Sequence, residues 1–372
     1  MTKRRQARRR SVRRLFHVAG RCRAAGIALT LGAAWCAAAG AVSGGEGAIE
    51  RIAFGSCFKQ GQGHAFWSPI LEYGPDAMVF LGDNGYPDAE DPPDFDKAYG
   101  ALMGHPDFRR LNERATVLAT WDDHDYGKND AGRANPHKRA AKRAFLKHWD
   151  IPADHPMRER GGVYRSRVFG PEARRVQIIL LDTRWFRDAW KEKDAEAKDG
   201  WPGYAPDADP GKTMLGEKQW AWLERVLERP AEVRVVASSI QVAAEQHKWE
   251  KWANFPAERA RLLELVDEAS GLALYISGDR HRAEISRIPP GDHGRFDLED
   301  PAMDVTSSSL NLPFGQSAVV DEPNRWRVGD ADGMHGVANF GALTIDWSGR
   351  TPRLEATVRD MEGEVLEKAR LP

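Results

Sequence analysis

Four short clusters in the chain bring together hard oxygen donors, imidazoles, one thiol and one phenol. They are Gly55-Ser56-Cys57; Gly82-Asp83-Asn84-Gly85-Tyr86-Pro87-Asp88; Trp121-Asp122-Asp123-His124-Asp125-Tyr126-Gly127-Lys128-Asn129-Asp130; and Ser277-Gly278-Asp279-Arg280-His281. Taken singly, each has a plain reading. A Gly-Asp after an apolar strand is often a turn, Tyr86 a half-buried packing residue, His124 a structural histidine and Cys57 a small buried apolar group. Together they read differently. Carboxylates crowded on one sheet edge raise one another's pKa and cost stability unless cations lie between them. Oxygen-rich clusters of this kind suit hard cations, and a thiolate or phenolate adds a preference for a more highly charged ion.

The elements that must carry these clusters are legible in the apolar pattern. Ile49 to Phe54 reads as a strand and Ala65 to Tyr73 as a short helix. Ala77 to Leu81 runs into Gly-Asp-Asn, and Thr116 to Trp121 into Asp-Asp-His. Strands are expected at Val163–Phe169, Val176–Leu181, Val233–Ile240 and Leu272–Ile276, and late strands at Ala342–Trp347, Leu354–Val358 and Val365–Ala369. Helices are expected at Pro136–Trp149, Gly216–Glu228 and Pro256–Ala269, the second with Trp220, Leu223 and Leu227 as a core-facing stripe. Arg187 to Met214 is polar, with Gly, Asp and Pro, and reads as a long surface loop. The alternation predicts an α/β fold in one domain over residues 42–372, with the clusters at the carboxyl ends of strands where ligands gather.

The formal net charge of −1 conceals an asymmetry. Residues 1–41 hold ten Lys or Arg and no acid, so their removal leaves −11. An acidic protein of this kind is not a general nucleic-acid binder. The same residues read as an export signal: a basic region from Lys3 to Arg23, an uncharged stretch from Ala24 to Gly45, and Ala39-Gly40-Ala41 as a cleavage site. Ser11-Val12-Arg13-Arg14-Leu15-Phe16 looks like a twin-arginine signal, which implies the Tat export machinery as a partner and a periplasmic or secreted product. An uncleaved membrane anchor is the alternative, disfavoured by the scarcity of large apolar residues. Cys22 and Cys36 would leave with the signal, so Cys57 would be the sole mature thiol and no internal disulfide could form. A lone thiol in an oxidising compartment calls for burial or coordination.

The Gly-Ser-Cys turn, Gly-Asp-Asn-x-Tyr, Trp-Asp-Asp-His-Asp and Gly-Asp-x-His resemble the PhoD-like (alkaline phosphatase D) branch of the calcineurin-type metallophosphoesterases. Supporting marks are Leu181-Asp182-Thr183-Arg184, Gln241 and Trp252-Ala253-Asn254-Phe255-Pro256-Ala257-Glu258-Arg259. The resemblance runs from Ile52 to about Asn311 and implies a four-layer αββα sandwich of two mixed sheets flanked by helices. It implies a centre of Fe3+ and Ca2+, with Cys57, Asp83, Tyr86 and Asp279 at iron and Asp83 bridging. Asp122, Asp123 and Asn129 fall on the calcium side, and His281 is a ligand or supports one. The implied reaction is hydrolysis of phosphate mono- or diesters by water activated at the metals, with His124 as general acid and Arg184 neutralising phosphoryl charge. Arg184 has a second reading, a salt bridge with Asp182. Gln241 and Trp252 are candidates for the pocket wall, though for Trp252 packing in the core is preferred.

Two departures stand out. Gly-Ser-Cys replaces the Asp-x-His of ordinary calcineurin-type enzymes, itself a mark of this branch, and Asp130 follows Asn129 where a second Asn is expected. The alternatives are a phospholipase D-type or wall-polymer phosphodiesterase and, in a different class, a catalytically inactive metal-binding surface protein.

Overall fold

The computed structural model describes residues 47–194, 202–291, 296–316, 322–329 and 333–371. The expected signal segment, with Cys22 and Cys36, lies outside the described residues. Among them, no helix is long and apolar enough to cross a membrane.

The strands are β1 (Arg51–Gly55), β2 (Ala77–Phe80), β3 (Thr116–Ala119), β4 (Arg165–Phe169), β5 (Val176–Leu180), β6 (Lys191–Glu192), β7 (Tyr204–Ala205), β8 (Val233–Ser238), β9 (Leu272–Ser277), β10 (Ala283–Ile288), β11 (Ala302–Ser307), β12 (Met334–His335), β13 (Phe340–Asp346), β14 (Arg353–Arg359) and β15 (Val365–Leu371). One sheet has the order β15-β14-β13-β1-β2-β3 and the other β12-β10-β11-β9-β8-β5-β4. Both are mixed. β1, β2 and β3 run parallel while β1 pairs antiparallel with β13. In the second sheet β5, β8, β9 and β11 run parallel, with antiparallel β4 and β10 outside them.

The strand sequences alternate so as to fill two faces at once. Ile52 and Phe54 of β1, Val79 of β2, Ile178 and Leu180 of β5, and Val235 of β8 meet in one core between the sheets. The intervening residues face outward. Ala53, Met78 and Phe80 pack under α1 (Trp67–Tyr73), α2 (Phe95–Met103), α3 (Pro106–Asn112) and α5 (Lys138–His148) through Ile70, Tyr99, Leu111 and Phe145. The one-turn helix α4 (Asp123–Tyr126) lies between α3 and α5 in the chain. On the other side Ile179, Val236 and Tyr275 pack under α6 (Gly216–Leu227) and α7 (Pro256–Asp267) through Trp220, Leu223 and Leu262. Three cores separate four layers, the αββα sandwich expected above. Each fully buried aliphatic side chain contributes about 1.5–3 kcal/mol, so these faces fix the register of every strand.

The expected helices α1, α5, α6 and α7 appear within two residues or so of their anticipated ends. Helices α2 and α3 were not anticipated. Asp94 caps α2, accepting from the Lys97 amide at 3.0 Å, and Phe95, Tyr99 and Leu102 are its buried stripe. The polar segment after Arg187 holds the two-stranded β6–β7 ribbon, and residues 195–201 within it lie outside the described residues.

Candidate metal centre

All four clusters sit at the carboxyl ends of parallel strands. Ser56 and Cys57 follow β1, Asp83 follows β2, Asp122 follows β3, and Asp279 follows β9. Two glycines let these loops touch. A Cβ on Gly82 would lie 2.5 Å from the Asp122 Cβ, and one on Gly278 would lie 2.5 Å from the Ser56 Oγ. The ligand candidates themselves adopt an unusual backbone. Cys57 (φ 59°), Asp83 (50°), Asp279 (72°) and His281 (52°) are all left-handed, a conformation non-glycine residues hold only where surrounding structure enforces it.

Their donor atoms fall into three groups, each with its atoms within 4.8 Å of one another: Cys57, Asp83 and His281; Asp83, Asp123 and His124; and Asp122, Asp123, Glu250 and Asp279. Asp83 joins the first two groups and Asp123 joins the last two. The Cys57 Sγ lies 3.5 Å from Asp83 Oδ2 and 3.2 Å from the Ser308 hydroxyl. Tyr86 donates to Asp83 Oδ2 at 3.2 Å, and its hydroxyl is 3.4 Å from His281 Nε2.

The carboxylates are held in a manner that fits cations. Asp122 Oδ1 accepts from Arg184 Nε (2.6 Å) and the Ser239 hydroxyl (2.5 Å), while its Oδ2 is buried with no hydrogen-bond partner. Asp83 repeats the pattern, with Oδ2 engaged and Oδ1 buried and unpartnered. Buried carboxylate oxygens without donors are costly unless a cation takes them. His281 is similarly prepared. Its Nδ1 lies 2.5 Å from the Leu312 carbonyl, so that nitrogen carries the proton and Nε2 keeps its lone pair. Burial pushes the ring down to about 4, keeping it neutral.

The electrostatics agree. Burial pushes Asp83, Asp122 and Asp279 well above the usual carboxylate range, and neighbouring acids add to it. Burial also raises the Cys57 thiol and the Tyr86 phenol. Burial opposes the charged form of His124 too, but Asp123, Asp83 and Asp88 outweigh it and push the ring up to about 11. These are the shifts that cations placed among the donors would reverse.

A pH dependence follows. Burial pushes Asp125 and Asp130 to about 7, so in metal-stripped protein their ionisation opposes folding from about pH 4, their unfolded value, up to about 7. His124 has the opposite charge but the same sign of slope: its stabilisation is complete below about pH 6.5 and lost as pH rises toward its folded value. His281 and His247, held below their ordinary values, slope the other way, but the five raised carboxylates Asp83, Asp122, Asp125, Asp130 and Asp279 together with His124 outweigh them, so metal-stripped protein is expected to melt at a lower temperature at pH 8 than at pH 5.5. A higher melting temperature at pH 8 would count against this electrostatic picture.

Several sequence-based expectations need correction. Arg184 is fully buried, and its guanidinium lies between Asp122 and Glu250 rather than against Asp182. Asp182 instead caps the turn after β5, accepting from the amides of Val163, Arg184 and Trp185. Asn129 is exposed, whereas its neighbour Asp130 turns inward, its carboxylate accepting from Tyr204 at 2.7 Å and its amide donating to Asp123 at 2.6 Å. The departure from the family pattern at Asp130 thus falls on a residue tied to the cluster. Gln241 is buried and bonded to Glu284 and Thr306; Trp252 packs in the core, the reading preferred for it from the sequence, with its indole N–H on Ser238. Glu258 and Arg259 fasten α7 to Trp220 and to the Val242 carbonyl.

Sequence reasoning missed Glu250, Ser239 and the pairing of Asp88 with His124 Nδ1 at 2.8 Å. Glu250 lies in Trp249-Glu250-Lys251, outside any strand-end motif, and its adjacency to the supporting Trp252 segment was the one available signal.

A family model described as PhoD-like phosphatase matches residues 52–351. Among solved structures, one of PhoD aligns over 87% of this chain and 69% of its own, with 16% identity and a TM-score of 0.62, a likeness of fold. A Staphylococcus aureus protein described as a candidate 5′-nucleotidase in complex with α-ketoglutarate aligns over 87% of this chain and 54% of its own, with 12% identity and a TM-score of 0.39. No curated protein sequence matches significantly. The family model covers most of the chain, including every strand end just described, and the chain therefore belongs to the PhoD-like phosphatases, which are metal-dependent phosphoesterases.

Proposed function

We propose that this phosphoesterase acts outside the cytoplasm on phosphate mono- or diesters, with Fe3+ and Ca2+ at the clustered donors. The observation that carries the reading is the meeting of the donor groups at Asp83 and Asp123, one containing thiol and imidazole and the others rich in carboxylate. Cys57, Asp83, His281 and Tyr86 would hold the trivalent ion; Asp279, expected at iron from the family pattern, instead groups with Asp122, Asp123 and Glu250, and these four would supply the oxygen-rich side suited to calcium. Bound there, the ions would supply Lewis-acid charge and an activated water.

The chain's own groups divide the remaining work. His124, partly exposed and oriented by Asp88, donates the proton to the departing oxygen. The Tyr86 ring lies 4.2 Å from the His124 ring, centroid to centroid, and limits its rotation. Arg184, enclosed by Asp122 and Glu250, is a positioning residue that keeps both carboxylates apart and aimed. Export through residues 1–41 would place Cys57 in an oxidising compartment, where its burial shields the thiol.

Elemental analysis of the purified protein, paired with mono- and diester assays, tests the reading. Iron with calcium and a visible phenolate-to-iron absorption band are expected; an active, colourless and iron-free enzyme would exclude the Cys57–Tyr86 iron site. His124→Ala should slow esters with poor leaving groups about 10²–10⁴-fold and activated aryl esters far less. Equal losses on both would remove His124 from the acid role.

A further inference from the structure

Beside the carboxylates lies a group of opposite charge that the reaction so far described does not use. Lys251 directly follows Glu250, and Arg280 directly follows Asp279. Lys251, Arg280, Arg282 and His247 are all buried, with 1–4% exposure, and Trp249 is half-buried; half-buried Lys193 donates its amide to the Gly203 carbonyl at 2.9 Å, and Gly203 abuts Lys248. Arg280 lies 5.5 Å from the Trp249 ring. Both Arg280 and Arg282 lean on a single carboxylate, Glu322, at 2.8 and 3.0 Å. Among the described residues, Lys251 Nζ meets only neutral acceptors, the Trp249 carbonyl at 2.8 Å and the Asn254 side chain at 3.5 Å. Among the described residues, both ring nitrogens of buried His247 and the Nε of Arg280 have no partner.

Buried charges ordinarily have counter-charges, and buried polar atoms have partners. Among the described residues, this cluster has neither in full: one carboxylate, Glu322, serves two guanidinium groups, Lys251 Nζ has no carboxylate partner, and three N atoms are left over. Burial, followed by Arg280, Lys251, Arg282 and Lys193, holds His247 well below its ordinary value. The ring is therefore neutral, with one N–H to donate.

We propose that His247, Lys251, Arg280 and Lys193 form an anion site beside the metal centre that takes a second phosphoryl group of the substrate. The Arg280 guanidinium and the Lys193 ammonium, with N–H donors from His247 and Lys251, favour a dianion over a monoanion, and donors drawn from separate loops suit a tetrahedral group. The inference rests on the phosphoesterase reading and narrows it: preferred substrates carry a further phosphoryl group on the alcohol side of the bond that is cleaved.

The test uses non-hydrolysable ligands and the metal-loaded protein, so that it does not depend on turnover. Calorimetry compares propane-1,3-bisphosphonate with propylphosphonate. The native protein is expected to bind the bisphosphonate more than about tenfold tighter, as befits charge-assisted contacts. Lys251→Met should shrink that ratio several-fold, and so should Lys193→Gln, a half-buried position that tolerates exchange if Lys251→Met fails to fold. A ratio near one in the native protein, or an unchanged ratio in the variants, overturns the site. Tight inorganic phosphate binding lost in Lys251→Met, without any advantage for the bisphosphonate, overturns the substrate role by identifying a free-phosphate site. Aryl phosphate turnover is measured separately: its absence with the ratio intact would remove the esterase reading and leave the anion site standing.

Discussion

Asp83→Asn is expected to lower kcat by more than about 100-fold while leaving the fold intact. Groups that merely support a metal ligand already cost 10–100-fold when changed, and Asp83 belongs to two of the three donor groups. The same substitution should stabilise metal-stripped protein near pH 8. Asp83 is buried, one of its oxygens has no donor, and its pKa is raised well above the usual range, so its charge opposes folding there. Relieving it is worth about 1–3 kcal/mol. Activity and stability thus move in opposite directions at one residue. Paired kinetics and thermal melts check this. A variant that is both inactive and less stable than native protein in metal-free buffer would mean that Asp83 is mainly structural.

Arg184→Met should behave in the reverse sense. It removes the guanidinium from between two buried carboxylates, with Asp122 Oδ1 at 2.6 Å and Glu250 Oε2 at 2.8 Å. Removing one partner of a buried ion pair costs about 3–5 kcal/mol, because the remaining charges are left uncompensated. Calcium should restore part of that loss, since added cations can take over both carboxylates. Melting temperatures with and without millimolar calcium measure the rescue. A variant as stable as native protein, with a defect confined to kcat, would return Arg184 to the phosphoryl oxygens.

Much of the framework was readable because strand ends and apolar alternation are local signals. Ile52, Phe54, Val79 and Ile178 announce buried faces by their period of two, and the Gly-Asp pairs mark where the chain leaves each sheet. What could not be read depends on residues distant in sequence. Glu250 meets Asp122 where the loop after β8 reaches the loop after β3, as the Ser239 hydroxyl on Asp122 also shows, and no spacing rule connects positions 122 and 250. Arg184 pairs across the layers rather than with Asp182, two residues away, because Asp182 is already engaged by three backbone amides. Asn129 illustrates the limit of motif transfer: the side chain one place later turns inward. Helices α2 and α3 escaped notice because they are short and bounded by Pro- and Asp-rich segments that read as loop.

The pairing of β1 with β13 has a consequence for when the centre can exist. Arg51 lies opposite Thr344, and β14 and β15 complete that sheet beyond it. Cys57, at the end of β1, also meets Ser308. A nascent chain still on the ribosome can therefore display Asp83 and Asp122 on its early parallel strands without closing the sheet that anchors Cys57. Such long-range closure comes late in folding, after nearly all of the chain has emerged. The donor cluster is accordingly complete only once β13 has been made and paired with β1, and metal uptake there follows the synthesis of that strand.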